Sequence, residues 1–172
     1  HPRSSAASDV YKRQDVGSFK EVQAACMMLM LLYTFARSET PCPKTLDGFD
    51  EDQHLMVTDV RFAAQPFRLL VRLKRIKQDQ RIERPEARGD GDWIWIGDTP
   101  DHPLFSIKVW TQRLFALHGA ARRPNAPFFV APEDRQQPLT YQTGMRHVRE
   151  LWEKASSRDE AMKYGLHSLR VT

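Results

Sequence analysis

Residues 18–43, "SFKEVQAACMMLMLLYTFARSETPCP", decide the fold class because they predict a helix that the rest of the chain has to cover. Ser18, followed by Glu21 three residues later, has the capping-box pattern that begins a helix. The apolar run over residues 22–36 is about 15 residues long, which is short for a membrane span. We therefore expect a buried core helix, ended by the two prolines of "PCP".

Three short segments with alternating or β-branched residues follow, and each predicts a strand. They are "HLMVTDVRF" (54–62), "PFRLLVRLKRI" (66–76) and "DWIWIG" (92–97). We interpret the "RGDGD" run before the third as a hairpin turn, because it lacks the later ligands of a calcium loop. The three strands are expected to form a small antiparallel sheet.

Helical patterns return after the strands. "LFSIKVWTQRLFALHGA" (104–120) has helical periodicity and a glycine stop, and "LTYQTGMRHVRELWEKA" (139–155) predicts a helix capped by Thr140. The proline-rich connector between them holds a strand-like piece at residues 128–130, and residues 157–172 open a further helix. This order of helix, small sheet and helices predicts an α+β fold that is mainly helical.

Length and composition are those of one globular domain, with 172 residues, 41% hydrophobic and 28% charged. The two cysteines, Cys26 and Cys42, lack C-x-x-C spacing and metal-ligand neighbours, so we expect buried or unreactive thiols. Such cysteine usage is typical of a reducing compartment, the cytoplasm or nucleus. No secretory signal is readable.

The net charge of +4 is shared between two different parts of the chain. Residues 4–14, "SSAASDVYKRQ", match the translation of a transposase-type sequencing adapter, so we expect residues 1–14 to be non-native and disordered. Those fourteen residues hold three basic and one acidic side chain, which leaves 4 − 2 = +2 for residues 15–172. The distribution of charge is therefore more informative than its total.

Basic residues concentrate in residues 68–88, which contain eight lysines and arginines but only three aspartates and glutamates. Such a cluster on alternating strands can bring several cations to one face, near DNA phosphates. A solvated hairpin face with ordinary ion pairs is the alternative. The residues predicted to bind DNA, with a second basic pair included, are Arg68, Arg72, Lys74, Arg75, Arg122 and Arg123.

Three further residues stand out by position. Arg37 directly follows the apolar helix, where a lone arginine commonly caps carbonyls. His167 and Arg170 lie three residues apart, so on a helix they share one face and can present an imidazole and a guanidinium to one phosphate. Taken singly, each of these patterns is common in proteins.

In order along the chain, these segments resemble the catalytic domain of the tyrosine recombinases, the phage integrase family, over residues 18–172. "TFARSET" resembles the first arginine box, "RIKQDQ" the lysine hairpin, "PLTYQTGMRHVRELW" a helix of that domain, and "LHSLRVT" the second arginine box. The catalytic residues that the resemblance implies are Arg37, Lys77, His167 and Arg170. Lys74 is the reserve for the lysine.

The sequence departs from the family pattern in two places. The acidic residue usually found three positions after the first arginine is replaced by Thr40, and Glu39 lies one position earlier. The family's nucleophilic tyrosine lies downstream of the second arginine, whereas no tyrosine follows Arg170 here. We therefore expect these 172 residues not to cleave DNA. The other tyrosines are interpreted as buried or hydrogen-bonded aromatics: Tyr33, Tyr141 and Tyr164.

The resemblance implies phosphoryl transfer without metal or cofactor, in which a tyrosine attacks DNA and leaves a 3′-phosphotyrosyl link. Arg37 and Arg170 would stabilise charge on the phosphate oxygens. His167 would donate or accept a proton, and Lys77 would protonate the leaving 5′-oxygen. The implied partner is double-stranded DNA, with self-association on DNA in the full-length protein and no membrane.

Three other readings stay open from the sequence. In the first, the chain is a relic of a mobile element that holds DNA without cutting it. A type IB topoisomerase shares the same chemistry. An α+β domain with a chance motif would not bind DNA at all. For the chain itself, the resemblance implies weak, salt-sensitive and mostly non-specific DNA binding, dominated by residues 68–88 and the pair Arg122–Arg123.

Overall fold

The computed structural model describes residues 17–34, 36, 40–63, 68–74, 92–98, 105–118 and 123–155. These residues confirm the α+β class, with three helices and one three-stranded antiparallel sheet. The helices are α1 (Phe19–Thr34), α2 (Ile107–His118) and α3 (Tyr141–Ala155); the strands are β1 (Val60–Ala63), β2 (Arg68–Leu73) and β3 (Asp92–Gly97). The adapter-like segment, most of the "RGDGD" turn and the helix predicted over residues 157–172 lie outside the described residues.

Helix α1 lies at the centre of the core, as its sequence predicts. All of residues 22–27 are buried, so every side of the helix is covered by other elements. The predicted capping box is present at its start. The Ser18 N–H donates to Glu21 Oε2 at 2.9 Å, and the Glu21 N–H donates to Ser18 Oγ at 3.4 Å.

Helix α2 runs antiparallel to α1. At one end the ring of Phe19 meets the ring of His118 edge-on, with 4.9 Å between centroids. At the other end the Tyr33 hydroxyl donates to the carbonyl of Phe105 at 2.7 Å, which confirms that Tyr33 is a hydrogen-bonded aromatic. The two contacts fix the axial position of α2 along the central helix.

Helix α3 is also antiparallel to α1 and begins at the predicted cap. The Thr143 N–H donates to Thr140 Oγ1 at 3.4 Å. Lys20 Nζ lies 2.5 Å from Glu150 Oε2, which ties the first turn of α1 to the last part of α3. Between these ends Gly144 brings the two helices close together, because a Cβ at that position would lie 3.0 Å from Met27 Cε.

The sheet has the order β1-β2-β3 and confirms the second and third predicted strands. One face is apolar and packs on the helices, where buried Leu69 pairs with buried Ile96. On the same face Phe62 meets Phe115 of α2 edge-on, with 5.0 Å between ring centroids. Because side chains alternate along a strand, the intervening residues point away from the helices.

The first predicted strand is wrong over residues 54–59, since β1 begins only at Val60. Met56 forms an isolated bridge with Pro127, and Val57–Asp59 is a 3-10 turn. The cause is local: the Asp59 carboxylate accepts the Met56 N–H at 2.8 Å, which closes a turn in place of an extended ladder.

The strand-like piece predicted at residues 128–130 is not a strand. Val130 forms one isolated bridge with Pro138, and its backbone is otherwise held by a side chain. The Val130 N–H donates to Gln23 Oε1 at 2.9 Å, and Gln23 Nε2 donates to the Val130 carbonyl at 2.8 Å. The apolar residues of this piece are buried in the core, so their hydrophobic character reflects packing and not strand pairing.

Candidate nucleic-acid interface

The outward face of the sheet is built from cations and aromatic rings. Its main residues, which we name the arginine–tryptophan face, are Arg61, Arg68, Arg72, Trp93 and Trp95. Alternation places them on one side, and the antiparallel register sets Arg72 directly opposite Trp93. Ala63, Leu70 and Gly97 complete this side of the three strands, so none of the described outward strand residues is acidic.

Two guanidinium groups lie over the ring of Trp93. Arg61 Cζ is 4.6 Å from the centre of the Trp93 ring, and Arg72 Cζ is 5.6 Å from it. Both distances are within the range in which a cation is attracted to the face of an indole. The Arg61 side chain reaches this ring across β2, so the two edge strands are linked over the outward face.

Trp95 is the exposed aromatic ring of the arginine–tryptophan face. Its side chain is 56% exposed, although large aromatic residues are usually covered. Arg68 Cζ lies 4.9 Å from the ring centre. The next outward position along β3 is Gly97, and a Cβ added there would meet no atom within 4 Å. The ring of Trp95 therefore borders open space on its strand.

One buried carboxylate organises the basic end of β2. Asp59 is 0% exposed, and its Oδ1 accepts from Arg72 Nε at 2.7 Å and lies 2.5 Å from Arg72 Nη2. Its Oδ2 lies 2.6 Å from Lys74 Nζ. Two cations thus share one anion, and the group keeps a net charge of +1 beside the outward face.

Lys74 is held by oxygen atoms on several sides. Besides Asp59, its Nζ donates to the carbonyl of Glu51 at 2.5 Å and to the carbonyl of His54 at 3.3 Å. Only 15% of the Lys74 side chain is exposed. An ammonium group held by these oxygens has little freedom to approach a phosphate in solution.

The described residues include four of the residues predicted from the sequence. Arg68 lies exposed on β2, Arg72 and Lys74 are bound to Asp59, and Arg123 is exposed in the loop that follows α2. Arg68 and Arg72 lie on β2, and Lys74 directly follows that strand. The remaining site residues lie outside the described residues: Arg37, Arg75, Lys77, Arg122, His167 and Arg170.

Sequence reasoning missed three residues of this surface and the buried carboxylate beside it. Trp93 and Trp95 were read only as strand formers, although their spacing of two residues already places both rings on one face. Arg61 fits the same alternation in "DVRF". Asp59 carried no signal of its own, because its function depends on partners that the sheet register brings to it.

Other reactive groups in the described residues show no second site. Cys42 is buried and burial raises the pKa of its thiol, and Cys26 is buried as well, which confirms the prediction for both cysteines. In the described segments no three metal-binding side chains of the His, Cys, Asp and Glu types come together. No helix in that part of the chain is long and apolar enough to span a bilayer.

Comparison with known proteins adds no relative. No family model matches the chain, and no curated protein or solved structure matches it.

Proposed function

We propose that the chain is part of an integrase-like catalytic domain that breaks and rejoins DNA strands through a 3′-phosphotyrosyl intermediate, for site-specific recombination or integration. The observation that carries the proposal is the order of the motifs: Arg37 after a buried helix, a basic strand pair, two helices and then His167 with Arg170. The α+β arrangement of the described elements is compatible with that order.

The arginine–tryptophan face supports the DNA-binding part of the proposal. Arg61 and Arg68 have no ion-pair contact with a carboxylate of the described residues, and the sheet holds them on one side of the molecule. Arginine side chains supply the phosphate contacts that dominate the affinity of proteins for DNA. The proposed DNA contacts therefore start at β2 and extend to its neighbours.

The contacts of Lys74 favour Lys77 as the proposed general acid. A lysine that protonates a leaving oxygen has to reach the phosphate and release a proton there. Lys74 Nζ is instead bound to Asp59 and to two backbone carbonyls. Within the proposal, Lys74 has a structural function and Lys77 protonates the leaving 5′-oxygen.

A substrate that already carries the phenolate tests the catalytic residues without the missing tyrosine. Thymidine 3′-(4-nitrophenyl phosphate) resembles the proposed 3′-phosphotyrosyl link. Attack by water forms one P–O bond, breaks the bond to the phenolate and releases 4-nitrophenolate, which is measured by its absorbance. This hydrolysis follows the course of the rejoining step, in which a 5′-hydroxyl replaces water and the tyrosine phenolate leaves.

The proposal predicts that the 172-residue protein accelerates this release, and that Arg37→Ala and Arg170→Ala each slow it by about a hundredfold or more, as the loss of one charge-stabilising donor does. Arg146→Ala is the matched control, because that arginine is 61% exposed on α3. Release no faster than in buffer, or equal in the control and both variants, would show that the proposed residues do not form a phosphate site.

A non-catalytic DNA-binding module is the second candidate, and one observation favours it. Described strand residues alone place Arg61 and Arg68 beside two indole rings, and such a basic surface can hold DNA without any strand cleavage. DNA binding without nitrophenolate release supports this candidate over the enzyme. A covalent protein–DNA adduct on a suicide substrate would contradict both the module and the expectation that the 172 residues do not cleave DNA.

A further inference from the structure

We propose that the arginine–tryptophan face is a binding site for single-stranded DNA, with Trp95 as the platform on which an unpaired base stacks. The inference rests on the contacts of described residues and does not require the proposed recombinase chemistry. It goes beyond that function because it assigns a different ligand, an unpaired strand, and builds the site from residues other than the predicted catalytic ones.

The exposure of Trp95 is the first step. An indole that is 56% exposed leaves a large apolar surface in water, and it is not buried by any described element. Trp95 lies on a hydrogen-bonded strand, opposite Leu70 of β2, so the sheet fixes the backbone that carries the ring. A fixed, open aromatic ring is the feature on which the bases of single strands stack.

The charge of the surface is the second step. Arg68 flanks Trp95 at 4.9 Å and Arg61 flanks Trp93 at 4.6 Å, so each ring has a guanidinium within reach of a phosphate beside a stacked base. None of the described outward strand residues is acidic, and the Asp59 carboxylate that binds Arg72 is buried. The face is complementary to a polyanion that also carries planar rings.

The spacing of the rings is the third step. Trp93 and Trp95 are two residues apart on one strand, which separates their Cα atoms by about 7 Å. Trp93 is covered by two guanidinium groups, whereas Trp95 has one and borders the open space at Gly97. One base stacks on Trp95, and the sugar–phosphate backbone continues over Arg61 and the ring of Trp93.

The same features fit single-stranded DNA better than a duplex, an acidic peptide or RNA. A duplex keeps its base faces within its own stack, so it offers Trp95 no partner for stacking. An acidic peptide would use the arginines and leave the indole exposed. Among the described outward strand residues, none has a hydroxyl or amide side chain that could accept a hydrogen bond from a ribose 2′-hydroxyl, so these side chains give RNA no advantage over DNA.

The test is fluorescence anisotropy with the full 172-residue chain and labelled oligo(dT) about 12 nucleotides long, within the site sizes typical of single-strand binders. We expect Trp95→Ala to weaken oligo(dT) binding by about tenfold, and Trp95→Tyr to retain most of it because a phenol also stacks. Arg68→Gln should lower the slope of log affinity against log salt by about 0.7, the value for one phosphate contact on a single strand.

Controls separate this proposal from its alternatives. Arg113→Gln is the matched control, because Arg113 also lies over a tryptophan, Trp110, at 5.2 Å but on α2, which packs against the opposite, apolar side of the sheet. It should leave the affinity unchanged. Because Trp95 is exposed, we expect Trp95→Ala to have the melting temperature of the wild type. That result would exclude misfolding as the cause of weaker binding.

Four outcomes would overturn the proposal. They are no binding of oligo(dT), an unchanged affinity in Trp95→Ala, tighter binding of oligo(U) or of a glutamate peptide than of oligo(dT), and a stable dimer that buries the face. Because duplex DNA binding and nitrophenolate release are measured separately, loss of single-strand binding alone leaves the proposed function standing. Absence of nitrophenolate release likewise leaves the single-strand site standing.

Discussion

Arg72 contacts Asp59 with two of its nitrogen atoms, and the carboxylate that receives them is completely removed from solvent. The same carboxylate binds Lys74 and closes the turn before β1 through the Met56 N–H. The orientation of the basic end of β2 and the start of the sheet therefore depend on one side chain.

Asp59→Asn is expected to lower the free energy of unfolding by about 3 kcal/mol, because removal of one partner leaves two partly buried cations without their anion. Urea unfolding followed by circular dichroism measures the change. Asp47→Asn is the control, since Asp47 is exposed and should shift the midpoint little. Equal midpoints for the two variants would mean that the Asp59 ion pairs do not stabilise the fold.

Double-stranded DNA binding should fall steeply as salt rises, because it depends on phosphate contacts. Arg68→Gln and Arg123→Gln are each expected to reduce the slope of log affinity against log salt by about 0.9, the value for one released contact on duplex DNA. Electrophoretic mobility shifts at a series of salt concentrations provide the slopes. Arg146→Gln on α3 should leave the slope as it is, and an affinity that stays flat with salt would contradict the predicted DNA contacts.

Acid should destabilise the protein in two stages, and His147 accounts for the first. Burial lowers the pKa of this histidine below 6.5; Lys20 and Arg146 lower it further, and Glu150 and Glu133 oppose them. The unfolded chain therefore binds a proton at His147 before the folded chain does. The contribution of His147 to the free energy of unfolding is fully present above pH 6.5 and is lost as the pH falls towards the pKa of the folded state.

The second stage comes from carboxylates at the junction of α1 and α3. Hydrogen bonds from lysines, Lys154 and Lys20, lower the pKa of Glu21 and Glu150 below 4.5. Their contribution is present above pH 4.5 and is lost below it. His147→Leu should thus flatten the loss of stability between pH 6.5 and 4.5 and leave the steeper loss below it. A wild-type pH profile in that window would show that His147 does not titrate with folding.

Substitution by valine should have opposite effects on stability at two described glycines, Gly144 in α3 and Gly97 in β3. Gly144→Val is expected to cost about 2 kcal/mol, because the new side chain enters the contact between α3 and the buried Met27. Gly97→Val meets open space on a strand and should keep or slightly raise stability. Thermal unfolding compares the two variants, and similar melting temperatures would contradict the close helix approach at Gly144.

Local patterns in the sequence were sufficient for the parts of the fold that depend on neighbours in sequence. The capping box of Ser18 and Glu21 closes within three residues, and β3 follows directly from the alternation in "DWIWIG". The sheet and the central helix could be predicted for this reason.

Longer-range contacts account for what the sequence did not show. The ion pairs of Asp59 with Arg72 and Lys74 were not predictable, because only the register of the sheet brings those cations to the carboxylate. Gln23 forms hydrogen bonds with the N–H and the carbonyl of Val130, which is 107 residues away. Residues 128–130 therefore pack in the core and do not form a strand. Within the described residues, the site differs from the prediction mainly by Arg61 and the two tryptophans, whose value as a surface appears only when three strands are placed side by side.

The bond between Gln23 and Val130 also sets an order of events during synthesis on the ribosome. Helix α1 leaves the ribosome before the other described helices and strands, and the Val130 backbone that binds Gln23 is made 107 positions later. At about 5–20 residues per second, that interval is roughly 5–20 s. Until then the cover of an apolar helix is incomplete, so nascent chains of this protein are expected to be clients of chaperones that bind exposed hydrophobic segments.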